Sequence, residues 1–241
     1  MTLIDELAAV HHDRLATPAA RVTRTLARQM LVQLAWYLGI VVVLALATVG
    51  VMLVIDEPTV SVVQFGRQSG VWFPFAIAVI VASGSLPVHI AAGVTRSTFV
   101  RGALAAAVGV AVVYAVAFAG ALALEGVAYD AVGWQHRITD AAWFSGDAGD
   151  IAAVAAGQFA SVLVAQCSGY LVGVVYQRVG GWWGTLLLPF TAGPVLGVVA
   201  LLSQWVDGDV LGAGPRWALA ALLAVALAAA FAAVARRFPM R

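Results

Sequence analysis

Side chains able to do chemistry are few in this chain and badly spaced for it. His11 and His12 stand together near the start, and His89 and His136 stand alone. Cys167 is the single cysteine. No second His or Cys lies at ligand spacing, so no metal site is expected, and the His11-His12 pair reads as a surface pair. With one cysteine no disulfide framework can form. An imidazole at position 89 near Ser83, Ser85 or Ser168 has the residue types of an intramembrane serine hydrolase, but no nucleophile motif surrounds those serines. His89 is better read as a helix-end residue near lipid phosphates, and no catalytic residue is assigned. All thirteen basic residues are Arg and none is Lys, so the G-x-x-x-x-G-K-[ST] phosphate loop cannot exist here. No apolar run carries a carboxylate near its middle, which removes the usual relay for ion-driven transport.

What polar groups the apolar runs do contain are neutral. Gln158, Ser161 and Ser168, with Ala165 between them, fall at steps of 3, 4 and 3 residues and share a helical face. Gln166 and Tyr170 form a neighbouring stripe, and Gly169-x-x-x-Gly173 is a close-approach site for another helix. Thr191 sits among Pro189, Gly193 and Pro194, where two ladder bonds are lost and a kink is expected, either as a hinge or to fit neighbours. Two readings of the stripes stand side by side. They pack the bundle, or Gln158, Ser161, Gln166, Tyr170 and Thr191 line a path for an amphipathic molecule that no fixed charge would trap.

These residues need helices to hold them. The chain has 241 residues, 63% of them hydrophobic and 10% charged, and a mean hydropathy of +0.97. That composition belongs to an all-α polytopic membrane protein. Spans are expected at about 31–55, 71–94, 102–124, 151–176, 182–202 and 217–235. Each is long enough at about 1.5 Å per residue to cross a hydrocarbon core of about 30 Å. Residues 1–30 form an arm ahead of the 31–241 transmembrane domain. Asp5, Glu6 and Asp13 replace the positive flank of a cleavable signal, so the arm is expected to stay on the mature protein. Thr17-Pro18 is a helix start, and Val22, Leu26 and Met30 recur every four residues opposite Arg21, Arg24 and Arg28, the pattern of an amphipathic interfacial helix.

Six spans place both ends on one side. The segments on that side carry ten arginines and three acids, whereas the other side carries Arg67, Arg137 and Arg216 with nine acids. The arginine bias places both termini in the cytoplasm. The longest opposite loop, 125–150, carries Tyr129, Trp134, Trp143 and Phe144 among its charges, as short interfacial helices would. Scattered arginines make no basic patch for nucleic acid.

A tight polar knot, Gly93-Val-Thr-Arg-Ser-Thr-Phe-Val-Arg-Gly102, joins the second and third spans, and Tyr176-Gln177-Arg178-x-Gly180 follows the fourth. Together with the six spans and the amphipathic start, these motifs resemble the membrane permeases of ABC exporters, in particular the small six-helix permeases of actinobacterial type. The resemblance implies a non-catalytic subunit of a bacterial plasma membrane exporter, paired with a second copy or a paralogue. Separate ATPase chains would supply ATP and Mg, with no cofactor in this chain. It makes Gly93, Thr95, Arg96, Phe99 and Arg101 the element that docks on the ATPase. The long loop here follows the third span, whereas in the family an outer re-entrant segment follows the fifth. An ATP-independent scaffold or accessory subunit is the alternative reading of the same topology.

Overall fold

The structure, a computed structural model, describes residues 17–55, 59–138, 146–202 and 213–237. The arm at 1–16 with His11-His12, Trp143 and Phe144, the 203–212 loop and the 238–241 tail lie outside the described residues. Helix α1 runs Pro18–Ile55, α2 Gly66–Ile80, α3 Leu86–Ala91, α4 Arg96–Val132, α5 Ala148–Leu186, α6 Leu188–Thr191, α7 Gly193–Leu202 and α8 Ala213–Arg236, and no strand occurs among the described residues. Five helical stretches are long and apolar enough to cross a membrane, and a shorter sixth runs Leu188–Leu202. The chain is a multi-pass membrane protein built from helices, the one open-ended architecture that satisfies its own backbone in lipid.

The amphipathic helix expected before residue 31 is continuous with the first span. Thr17 caps it through Ala20 N–H, 3.3 Å from Thr17 Oγ1, and Pro18 fills the first helical position, where a missing N–H costs nothing. At 38 residues α1 is about 57 Å long, well beyond a hydrocarbon core. Val22, Leu26, Met30 and Leu34 are buried, on protein rather than in lipid. Gly102 of α4 permits this: a Cβ there would stand 2.6 Å from Val22 Cγ1. Thr23 Oγ1 adds a bond to the Gly102 carbonyl at 3.2 Å. From Leu38 onward no described side chain of α1 is buried, so the helix leaves the bundle as it rises.

The second span is broken twice. A 3-10 turn, Val63–Phe65, leads into α2, and a π-helical turn, Val81–Ser85, separates α2 from α3. Pro87 follows that turn and has no N–H for the carbonyl of Ser83, four residues back. Gln177 Nε2 on α5 donates to that carbonyl instead. The same repair occurs at the Pro189/Pro194 kink. Val195 N–H goes to Ala192 O, which frees the Thr191 carbonyl, and the Ser168 hydroxyl donates to it. The kink expected around Thr191 is therefore present and is braced by α5.

Helix α5 is the centre of the molecule, packed against α2, α4, α7 and α8. Gly169 and Gly173 bring it into backbone contact with α2 and the π turn: a Cβ on either would stand 2.8 Å from the Cβ of Ala78 or Ala82. Such small-residue seams replace the hydrophobic drive that helices lack in lipid. Gly180, at φ 82° and ψ 174°, breaks α5 and starts the fifth span.

Candidate functional site

Three arrangements of polar side chains stand out, and the first is a cavity. It holds about 430 Å³ between the second half of α1, the start of α2 and the middle of α4. Among the described residues no charged side chain lines it. Its walls are Leu38, Val41, Ala45, Phe118 and similar groups, with polar atoms from Tyr37, Ser69, Thr48 and Gln158. The Tyr37 and Ser69 hydroxyls lie 2.7 Å apart, and Tyr37 stacks on Phe73 with ring centroids 4.7 Å apart. Gln158 is 2% exposed and its Oε1 has no partner. Gly70 makes room for that amide, since a Cβ there would come within 3.0 Å of Gln158 Nε2. Pro74, four residues on, has no N–H to give the Gly70 carbonyl.

Above the cavity, at the end away from most arginines, a buried carboxylate ties two connections together. Glu125 Oε1 accepts from Val62 N–H at 2.7 Å and Val63 N–H at 3.1 Å. Its Oε2 accepts from the Ser61 hydroxyl and lies 3.1 Å from His136 Nε2. The Glu125 and His136 side chains are 9% and 10% exposed. Ser61 Oγ in turn accepts from Gln64 N–H at 3.2 Å, and Arg137 O accepts from Ser61 N–H at 2.8 Å. A carboxylate on the first N–H groups of a helical turn satisfies orphan donors and meets the positive end of the dipole. Val62 and Val63 also line the cavity, so this latch holds its lip at that end.

The expectation that residues 125–150 begin as short interfacial helices is corrected here. Helix α4 continues to Val132 and ends on Gly133 at φ 78°, the left-handed cap that favours glycine. Glu125, close to the end of an apolar run, turns inward onto the first loop. Its partners from the first loop could not be seen in the spelling, although Ser61-Val-Val-Gln64 is a helix-start signal that could have been found.

At the arginine-rich end the knot has the expected form. Gly93 takes φ 85°, and Thr95 caps α4, its Oγ1 accepting from Thr98 N–H at 3.2 Å. Arg96 donates to the carbonyl of Arg236 at 3.5 Å, joining the knot to the end of α8. Gly93, Thr95 and Arg101 are exposed and Arg96 is half-buried. Phe99 is fully buried, edge-on to His89 at 5.3 Å, so it anchors the knot from within the chain. A groove of about 400 Å³ lies between this knot and the start of α1, lined by Arg21, Thr25, His89, Thr95 and Thr98 among others.

Of the five candidate path residues, only Gln158 reaches the cavity. Ser161, Gln166, Tyr170 and Thr191 are buried within the bundle. Gln166 Nε2 donates to Ala107 O at 3.2 Å and Tyr170 OH to Ala103 O at 3.4 Å, both on α4. Thr191 Oγ1 donates to Leu187 O at 3.1 Å, within its own kink. Nor do the hydrolase residue types assemble. His89 Nδ1 bonds Ser85 O at 2.8 Å, while Ser83 and Ser168 donate to carbonyls. Among the described residues no cluster of three His, Cys, Asp or Glu could hold a metal.

Compared with known proteins, the chain matches no family model, no curated sequence and no solved structure.

Proposed function

We propose that the chain is the membrane subunit of an ABC-type exporter, handing a hydrophobic or amphipathic substrate across a bacterial plasma membrane. The observation that carries the reading is the cavity beneath the Glu125 latch: it lies between α1, α2 and α4 and no described side chain lining it is charged, which suits an uncharged or weakly polar cargo. Both termini then face the cytoplasm, following the arginine bias. In this reading the groove between α1 and the Gly93–Arg101 knot receives an ATPase chain that holds ATP and Mg. Motion of that partner would reach the cavity through α1, which is packed on α4 below Leu34 and leaves it above. Two packings of α1 against α4, biased by partner and cargo, would give alternating access, with a second permease copy or paralogue completing the transporter.

Purification in mild detergent tests this directly. A nucleotide-hydrolysing chain is expected to accompany the protein, and Arg96→Glu with Arg101→Glu to release it while the permease still elutes as a single species. Phe99 is excluded from the test because its loss would damage the core. A second reading, an ATP-independent scaffold, is favoured by the burial of Ser161, Gln166, Tyr170 and Thr191 as packing residues. Recovery of the chain without any ATPase from its native membrane would establish it instead.

A further inference from the structure

We propose that the α1/α2/α4 cavity binds an uncharged, single-tailed amphiphile whose head group accepts a hydrogen bond from Gln158. This rests on the permease reading and names the chemistry of its cargo. Gln158 is 2% exposed, lines the cavity, and makes no hydrogen bond with any described residue. A buried amide without a partner is costly, and more so in lipid, where water cannot relax it. Elsewhere on α5 these donors found partners: Gln166 Nε2, Ser168 Oγ, Tyr170 OH and Gln177 Nε2 all reach backbone carbonyls. The Oε1 atoms of Gln158, Gln166 and Gln177 all lack a partner, but only Gln158 among these three amides lines the cavity and has an Nε2 that meets no described carbonyl.

The groups around it define what would fill that space. Gln158 Nε2 is a donor beside Gly70 on the cavity wall, and the paired Tyr37 and Ser69 hydroxyls near it can each accept as well as give. A hydroxyl or amide head group matches this wall, because it carries both a donor and an acceptor. A carboxylate or quaternary ammonium does not match, since no described lining side chain could balance its charge once water is removed. Leu38, Val41, Ala45 and Phe118 make the rest of the cavity fit for an alkyl tail. About 430 Å³ lies in the range of small-molecule sites, of about 300–1,000 Å³. The tail has a way out along α1, whose outer face beyond Leu38 is unburied.

The test uses the purified full chain in lipid nanodiscs and three photoreactive probes with the same diazirine-bearing tail: a monoacylglycerol, a fatty acid and an alkyl trimethylammonium. The monoacylglycerol is expected to label peptides covering 37–48 and 114–121 at least tenfold more than either charged probe. Gln158→Leu should lower that labelling at least fivefold, and Gln166→Leu, the same change in the sealed core, should leave it unaltered. Equal labelling by all three probes, or full labelling of a Gln158→Leu chain that elutes like the parent, would overturn the proposal. If Gln158→Leu fails to fold, Ser69→Ala carries the same expectation and decides. Selective labelling by a chain that never recovers an ATPase would sustain the site and remove the permease reading. An ATPase partner without selective labelling would do the reverse.

Discussion

Two of the three glutamines of helix α5, Gln158 and Gln166, stand eight residues apart, and the two sides of the bundle they serve are built in opposite ways. Around Gln166 the bundle is closed. Gly169 and Gly173 let α5 lie against the backbone of α2, and the freed carbonyls of Ser83 and Thr191 each meet a side-chain donor. Around Gln158 the wall is incomplete. Tyr37, Phe73 and Tyr114 hold the helices apart, with Tyr37 and Tyr114 ring centroids 6.1 Å apart, and α1 diverges beyond Leu34. The contrast shows how a membrane protein decides where to be solid. Small residues bring backbones together, and hydrogen bonds then lock the seam. Aromatic rings at the same depth keep a space between helices, and a polar group left in it is available to a ligand.

The closed side should break first and worst. Gly169→Val or Gly173→Val places a side chain into the backbone of α2, and overpacking of this kind is expected to cost about 3 kcal/mol. Thermal unfolding followed by size-exclusion chromatography should show loss of the folded species. A chain that tolerates both changes would mean that the α2–α5 seam is not the structural spine.

The latch over the open side comes next. Glu125→Ala leaves the Val62 and Val63 N–H groups and the Ser61 hydroxyl without their acceptor, at a cost of about 2 kcal/mol. Hydrogen exchange at Val62 and Val63 should rise sharply, and a cysteine placed at Thr48 should become more reactive toward a water-soluble maleimide. Glu125→Gln keeps an acceptor and should do about half as much. Unchanged exchange at both amides would show that the lip of the cavity is held by something else.

Smaller effects sharpen the contrast. Thr95→Ala removes the cap of α4 and should lower stability by about 1 kcal/mol, read from the same thermal curves. Gln166→Leu gives up one buried hydrogen bond, again for about 1 kcal/mol. Gln158→Leu gives up none, so stability should be unchanged or raised by up to about 1 kcal/mol. If the two glutamine variants fall together in melting temperature, the closed and open sides are not energetically distinct.

Much of the scaffold was legible beforehand. The apolar runs, the knot from Gly93 to Gly102, the kink around Thr191 and the Gly169/Gly173 close approach could all be read from residue types, because propensity, glycine geometry and proline chemistry are local properties. The polar stripe on α5 was legible as a stripe but not as a path. Its members divide between core and cavity according to what lies opposite, which α5 itself does not encode.

What the sequence by itself determined, then, is the set of helices that a low-dielectric surrounding demands, and the points where they bend. Only the tertiary structure decided that Gln158 faces a cavity while Gln166 meets Ala107, that Phe99 turns inward, and that Glu125 holds Ser61, Val62 and Val63 from 62 to 64 residues away. The physical reason is that helical periodicity orders side chains around one axis, whereas a partner or an empty space is a property of two or more axes, set by how closely their backbones are allowed to approach.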